Sequence, residues 1–397
     1  MFLRRRYHLG LPGVIFFVVT LLLGVGAATG QNNLLFLAFG FALAAIVVSG
    51  IISGWMMMGV AVERQLPEQG AAGRPLTVCY TVTNRSRWLP IFALNVGEWE
   101  RRRMRRGVRA GWARLMPAPR AFLMHLGPGK SAHLAATVEP HRRGEAMFLV
   151  VRVSSAFPFG IFTKAILSVQ RDSVLILPRV DPVRHDVTRD LAARAQAGLS
   201  STSISGRGDE FYGVRDYAPG DSPRAIAWKP SARTGDLVVR ENARPTSGSL
   251  LIMLNLNGSG APTDDGPSAD EQNERAISLA ASLSVAAHRA GLDVGIAAPD
   301  LDVAVAPAAS ARQAQIVLGA LARLDCEKPR TPGGSAADEA ARWSLRSPTV
   351  IVHAAGIEPA FGPPGARHLT ANELERVVAV GAAPAMLHFG APAGAGA

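Results

Sequence analysis

Hydrophobic and polar residues follow three different patterns along this chain. Between His8 and Glu63 there is no acidic or basic residue. Two apolar runs fill that gap, Leu11–Thr29 and Leu34–Ile52, and Gly30-Gln31-Asn32-Asn33 separates them as a polar turn. Each run is close to the ~20 helical residues that cross a bilayer core. Residues 1–62 therefore read as a hairpin of two membrane-spanning helices, about 11–29 and 34–52. A cleaved signal peptide is the competing reading of the first run. A second apolar run follows at once, however, which favours the hairpin.

Over residues 63–180 the pattern shortens to alternating β-favouring stretches: Leu76–Thr83, Phe92–Val96, Ala132–Val138, Met147–Val153 and Val174–Leu177, with Gly127-Pro128-Gly129-Lys130 as a turn. Several short strands without a long helical period predict a small antiparallel β-sandwich. From residue 249 to 387 strands alternate with helices. Leu250–Leu254, Leu292–Ala297, Leu301–Ala306 (pairing with its predecessor), Thr349–His353 and Arg376–Val380 read as strands. Glu271–Ala290 and Ala311–Leu324 read as helices. That alternation predicts a doubly wound α/β domain with a parallel sheet. Residues 181–248 lie between the two domains, and the Gly/Ala-rich tail 388–397 reads as disordered.

Charge adds orientation. The formal net charge is +11. Arg4, Arg5 and Arg6 precede the first run, Arg64 and Arg74 follow the second, and the connecting turn is uncharged. The positive-inside rule then places both termini in the cytoplasm, on a two-span protein of the inner membrane. Cys79 and Cys326 form no CxxC pair and no disulfide framework, in keeping with a reducing compartment. The densest basic cluster is Arg101, Arg102, Arg103, Arg105 and Arg106, followed by Arg109. Next to an anchor it reads as a loop near anionic lipid headgroups. A nucleic-acid binder is the alternative, but no zinc, RNP or helix-turn-helix signature accompanies the cluster, so no nucleic acid is expected.

The richest chemistry lies in residues 208–241, EFYGVRDYAPGDSPRAIAWKPSARTGDLVVRE with the preceding Gly208-Asp209. Its candidate contact residues are Glu210, Arg215, Asp216, Asp221, Arg224, Trp228, Lys229, Arg233, Arg240 and Glu241. An active site needs a nucleophile beside a base or two carboxylates set as acid and base. This stretch has no His or Cys, and the chain has no GxSxG elbow, no GxxxxGK[ST] loop and no HExxH. No enzyme is expected, with a membrane-tethered hydrolase or transferase built on residues 208–241 as the alternative. Two non-catalytic roles remain open. In one, glycines and prolines keep the stretch irregular and arginine forks satisfy its backbone as a hydrogen-bonded collar, with Ile226 and Trp228 as buried apolar contacts. Alternatively, Arg215, Asp216 and Lys229 face a partner.

This stretch resembles the signature of a bacterial family known as domain of unknown function fifty-eight. The resemblance runs through Gly208–Phe211, Arg215-Asp216-Tyr217, Gly220–Lys229, Ala232-Arg233 and Leu237–Glu241. Upstream, His141-Arg142-Arg143-Gly144 and Ser154–Phe162 are similar to two further family segments. The resemblance implies association with a MoxR-type AAA+ ATPase and a C-terminal domain like von Willebrand factor A. Such domains hold a divalent cation on Asp-x-Ser-x-Ser after the first strand. Here the corresponding residues are Asn255, Asn257 and Ser259, so the carboxylate that would offset a dehydrated Mg²⁺ is missing and no cofactor is expected. What the sequence and the resemblance together lead one to expect is a membrane-anchored, non-catalytic adaptor or scaffold. Its partners would be lipid and an ATPase of that class, and its task the assembly or maturation of another complex.

Overall fold

The computed structural model describes residues 3–30, 32–100, 111–197, 205–218, 222, 225–243, 248–256, 268–327, 333–358 and 360–379. They fall into two compact units, Met1–Leu177 and Pro178–His388.

The first unit opens with β1 (Leu3–Leu9), then α1 (Leu11–Gly30) and α2 (Asn33–Met56), which ends in a 3-10 turn at Met57–Gly59. Asn32 caps α2 by accepting a hydrogen bond from the Leu34 amide at 2.9 Å. Both helices are long and apolar enough to cross a membrane; at 1.5 Å per residue the first is about 30 Å long. There follow β2 (Val60–Gln65), β3 (Gln69–Ala71), β4 (Leu76–Asn84), β5 (Ile91–Glu98), β6 (Arg120–Leu126), β7 (Ser131–Val138), β8 (Gly144–Ser155) and β9 (Phe162–Leu177). The order β1-β9-β8-β5-β6 makes one sheet, with β3 parallel to β9, and β2-β4-β7 makes a second. Along β4, residues alternate between buried and exposed, turning Leu76, Val78, Tyr80 and Val82 inward. Val78, Tyr80 and Val82 meet Leu94, Val96, Val151, Val153 and Ile166 of the other sheet in one core, while Leu76 packs with Phe148, Val174 and Ile176 in a second. Period-two burial on facing sheets makes this a sandwich. Sequence periodicity missed β1, β2, β3 and β6; it caught the middle of β8 and only the end of the longer β9.

Arg64 corrects its role as a flanking charge. Its side chain is fully buried within the sandwich, so it is not presented to headgroups. Nη1 bonds Glu98 at 2.8 Å and Nη2 bonds Asp172 at 2.6 Å. Nη2 also donates to the carbonyls of Phe148 and Gln170 at 3.1 and 2.9 Å. Tyr80 Oη donates to the second oxygen of Glu98 at 3.0 Å. Burial pushes the Glu98 carboxyl up, and the Arg64 guanidinium opposes the shift. Burial, with Glu98 alongside, pushes the Tyr80 hydroxyl well above the usual phenol range, so it stays a donor.

The second unit holds α3 (His185–Ala197), β10 (Ser205–Asp216), α4 (Trp228–Thr234), β11 (Val238–Ala243), β12 (Ser249–Asn255), α5 (Ala269–Arg289), β13 (Asp293–Ala298), β14 (Val303–Val305), α6 (Gln313–Arg323), α7 (Ser335–Ser344), β15 (Thr349–His353), β16 (Arg367–Thr370) and α8 (Leu374–Val377). Its main sheet runs β14-β13-β12-β15-β16, parallel except for the edge strand β14. Leu251 and Met253 pack with Ala297, Ile351 and Ala340 of α7. Alternation turns Leu250, Ile252 and Leu254, all buried, to the opposite face. The long helix α5 buries Ala276, Ile277, Leu279, Ala280 and Leu283. Buried on both faces, β12 is a continuous apolar run, as a central parallel strand must be.

Two sequence expectations change here. Of the expected strand Arg376–Val380, Arg376 and Val377 are helical and Val380 lies outside the described residues: Thr370 and Glu373 form a capping box, with the Thr370 amide donating to Glu373 Oε2 at 2.8 Å. That box starts a helical turn that runs through Val377 before β propensity can act. The last strand among the described residues is β16 instead. Helix α3 occupies part of what reads as linker, and Arg367 of β16 pairs with its Asp190.

Candidate functional site

The signature stretch folds as a two-stranded ribbon closed by a short helix. Strands β10 and β11 pair antiparallel, with Gly213 opposite Glu241, Arg215 opposite Val239 and Asp216 opposite Val238. Ile226 bridges to Val239. Ser231, buried in α4, holds the turn together. Its Oγ donates to the Ala227 carbonyl and accepts from the Val238 amide, both at 2.9 Å. The helix stops at Gly235, whose φ of 83° is left-handed and suits glycine.

Among the described residues, the ribbon's charged and aromatic side chains point outward. Trp228 is 67% exposed, which corrects the expectation that it supplies a buried contact. Arg215, Asp216, Lys229 and Arg233 are exposed as well, as are the apolar Val214, Tyr217 and Leu237. Arg215 donates to the Asp216 carbonyl at 3.0 Å. The ribbon's shape thus rests on Ser231, on the strand pairing and on backbone bonds such as Tyr217 to Leu237 at 2.9 Å. Asp221 and Arg224 lie outside the described residues, as do the side chains of Glu210, Arg240 and Glu241. So do Arg101, Arg102, Arg103, Arg105 and Arg106, and the tail 388–397.

A second polar group sits at the carboxyl ends of β12, β15 and β16, where open α/β sheets bind ligands. Asn255 ends β12 and His353 ends β15, and the sheet register sets them side by side. Asn255 Nδ2 lies 3.2 Å from His353 Nδ1 and 3.0 Å from Glu358 Oε2. His353 Nε2 lies 2.9 Å from His368 Nδ1. The amide nitrogen can only donate, so His353 Nδ1 accepts and its Nε2 carries the proton toward His368. The two imidazoles stack at 5.1 Å, and Phe361 meets His353 edge-on at 6.2 Å. Burial, joined by the neighbouring His368, lowers the affinity of His353 for a proton, while Glu358 opposes them. The imidazole is held neutral. Asn257 and Ser259, the other degenerate cation positions, lie outside the described residues. Among the described residues no three His, Cys, Asp or Glu side chains gather as a metal site.

With both sites placed, similarity to known proteins can be set against them. Residues 213–361 match the model of the family described as "Protein of unknown function DUF58". The chain carries a DUF58 domain. The matched span takes in the ribbon from Gly213 onward together with Asn255, His353 and Glu358. No curated protein matches the chain. Among solved structures, it is similar to a GH20 exo-β-N-acetylglucosaminidase from Vibrio harveyi in complex with N-acetylglucosamine. That match has 11% identity over 74% of this chain and a TM-score of 0.15, too low to carry any argument. The chain spans 57% of the length of that structure's chain.

Sequence reasoning missed the polar chain of the DUF58 domain beyond Asn255. The signal was present: His353 closes the run TVIVH, and the carboxyl end of a central strand is where polar residues gather. His368 was out of reach, because only the β15–β16 register brings it beside His353.

Proposed function

We propose that this protein is a non-catalytic adaptor anchored in the cytoplasmic membrane. Its DUF58 domain, taken to be von Willebrand factor A-like, offers the β10–α4–β11 ribbon to a partner protein. The observation that carries this reading is the exposure of Trp228 beside Lys229 and Arg233, with Asp216, Tyr217 and Leu237 also open. An exposed aromatic in one ribbon with exposed arginine and mixed charge has the composition of an interaction hot spot. An arrangement whose stability came from those side chains would bury them.

Helices α1 and α2 serve as the anchor, with both ends on the cytoplasmic face. Support comes from connectivity: β1 precedes α1 and pairs with β9, while β2 follows α2 and pairs with β4. Both ends of the hairpin thus enter one β unit. The family resemblance makes a MoxR-type AAA+ ATPase the first partner to test, in the assembly or maturation of another complex.

The test is affinity capture with intact, detergent-solubilised protein, comparing wild type with Asp216→Ala/Lys229→Ala. The proposal expects an ATPase of that class to co-purify with wild type and to be lost from a variant whose melting is unchanged. Capture of no ATPase by wild type, or equal capture by both, overturns it.

A further inference from the structure

One end of the β-sandwich gathers exposed aromatic and basic residues around the roots of the two apolar helices. Arg85 N donates to the Gly59 carbonyl at 2.7 Å, which fixes the β4–β5 loop beside the end of α2. Asn84 Nδ2 donates to the carbonyls of Leu89, Leu126 and Gly127, at 2.8, 3.2 and 3.2 Å, and holds the loop in place. Ser86 Oγ accepts from the Leu89 amide at 3.0 Å. The β6–β7 turn joins the same edge, with Gly129 N donating to the Ser86 carbonyl at 3.1 Å. On the α1 side the β8–β9 turn presses close: a Cβ on Gly13 would collide with the Ile161 carbonyl. Lys164 of β9 donates to the Gly50 carbonyl of α2 at 2.7 Å, and burial there lowers its pKa.

The side chains at this edge are of two kinds. Trp88 is 87% exposed and Phe159 58%, and Trp55, Met58, Leu9 and Leu11 are open too. Arg85, Arg87 and Lys130 are exposed among them. The segments 84–90, 127–130 and 156–164 contain no Asp or Glu. In water, so many open apolar side chains on one edge would be costly. At the boundary of a bilayer the same set is favourable: tryptophan sits at headgroup level, and arginine and lysine reach anionic phosphates. The patch is continuous with α1 and α2, which identifies what covers it.

We propose that this edge of the sandwich rests in the headgroup layer of an anionic bilayer, with Trp88 and Phe159 inserted and Arg85, Arg87 and Lys130 on lipid phosphates. The inference rests on reading α1 and α2 as membrane spans. The sandwich is then held flush to the membrane by lipid contacts of its own. The opposite edge, at Glu139, faces away: the eight residues of β7 run between Ser131, opposite Thr83, and Val138, opposite Leu76, a span of about 25 Å.

The test uses the full chain with Cys79→Ala and Cys326→Ala, reconstituted into vesicles of phosphatidylcholine and phosphatidylglycerol. A single cysteine placed by Trp88→Cys, Glu139→Cys or Leu22→Cys carries an environment-sensitive fluorophore, and brominated lipid serves as the quencher. The proposal expects quenching at positions 88 and 22 and none at 139. It further expects quenching at 88 to weaken when phosphatidylglycerol is omitted or when Arg85→Gln, Arg87→Gln and Lys130→Gln are combined. Quenching at 22 with position 88 as silent as 139 overturns the proposal and leaves the spans standing. Silence at 22 overturns the span reading, and this proposal with it. Phe159→Cys, read in the same way, guards against a local fault from the loss of Trp88.

Discussion

Arg64 and the ribbon at residues 205–243 use the same residue types to opposite ends. Arg64 sits in an ordinary strand, VAVERQ. It is nevertheless fully buried, bonded to two carboxylates and two carbonyls, and lies 5.3 Å from the Phe148 ring centroid. The ribbon is crowded with arginines, acids and aromatics, yet Arg215, Lys229, Arg233 and Trp228 all reach solvent. Among these described residues, the charge that is buried and paired is the one in the sandwich. Density of charge along a sequence says little about burial; what matters is whether a charged side chain falls on the inward phase of a strand. Glu63 is exposed and Arg64 buried on adjacent positions of β2, and one residue of register decides between them.

The largest effect should come from Arg64→Ala. It leaves Glu98 buried without its cation and strands two carbonyls, so the β unit is expected to lose about 3–5 kcal/mol, measured by urea unfolding in detergent. Replacing Arg64 and Glu98 together, by Met and Leu, should cost less than Arg64→Ala alone. A larger cost would mean that the pair contributes more than its mutual compensation.

Within the ribbon the expected order is reversed, with one small buried hydroxyl outweighing the charges. Ser231→Ala leaves the Val238 amide without its acceptor, a loss of about 1–3 kcal/mol in the local opening energy. Hydrogen exchange at Val238 reads it directly.

His353 gives a pH test. Its folded pKa is lowered, so the unfolded chain takes up the proton first as pH falls. Stability of the DUF58 domain is full above the unfolded value of about 6.5 and is lost as pH drops through and below it. His353→Gln should flatten that part of the pH profile, as measured by thermal melts between pH 5 and 8. An unchanged slope would mean that the neutral imidazole contributes nothing to the domain. Smallest of all, Trp228→Ala or Arg233→Ala should change stability by no more than about 0.5 kcal/mol.

Much of the fold was legible in the sequence because it depends on periodicity. The charge-free gap gave both apolar helices within a few residues, and TVIVH and LLIML gave the central strands. The stretch Leu301–Ala306 was placed beside the right neighbour. What escaped depends on long-range pairing. Strand β6, RAFLMHL, alternates weakly because Phe122 and Met124 are exposed. Strand β16 is four residues long, and Thr370 and Glu373 end it with a cap. For the candidate sites, residue types pointed to the ribbon, but burial could not be read from them. Asn255 was found by its place after a strand, while His353, Glu358 and His368 joined it only once the strands were laid in register.

The central claim is that the ribbon's charged and aromatic side chains form a contact surface and do not hold the domain together. The most direct measurement is hydrogen exchange of the buried α5 and β12 amides in the full-length Trp228→Ala/Arg233→Ala variant beside wild type. The account predicts protection within about 0.5 kcal/mol of wild type. A loss approaching the 3–5 kcal/mol expected for a broken buried ion pair would contradict it and make the ribbon the domain's cement after all.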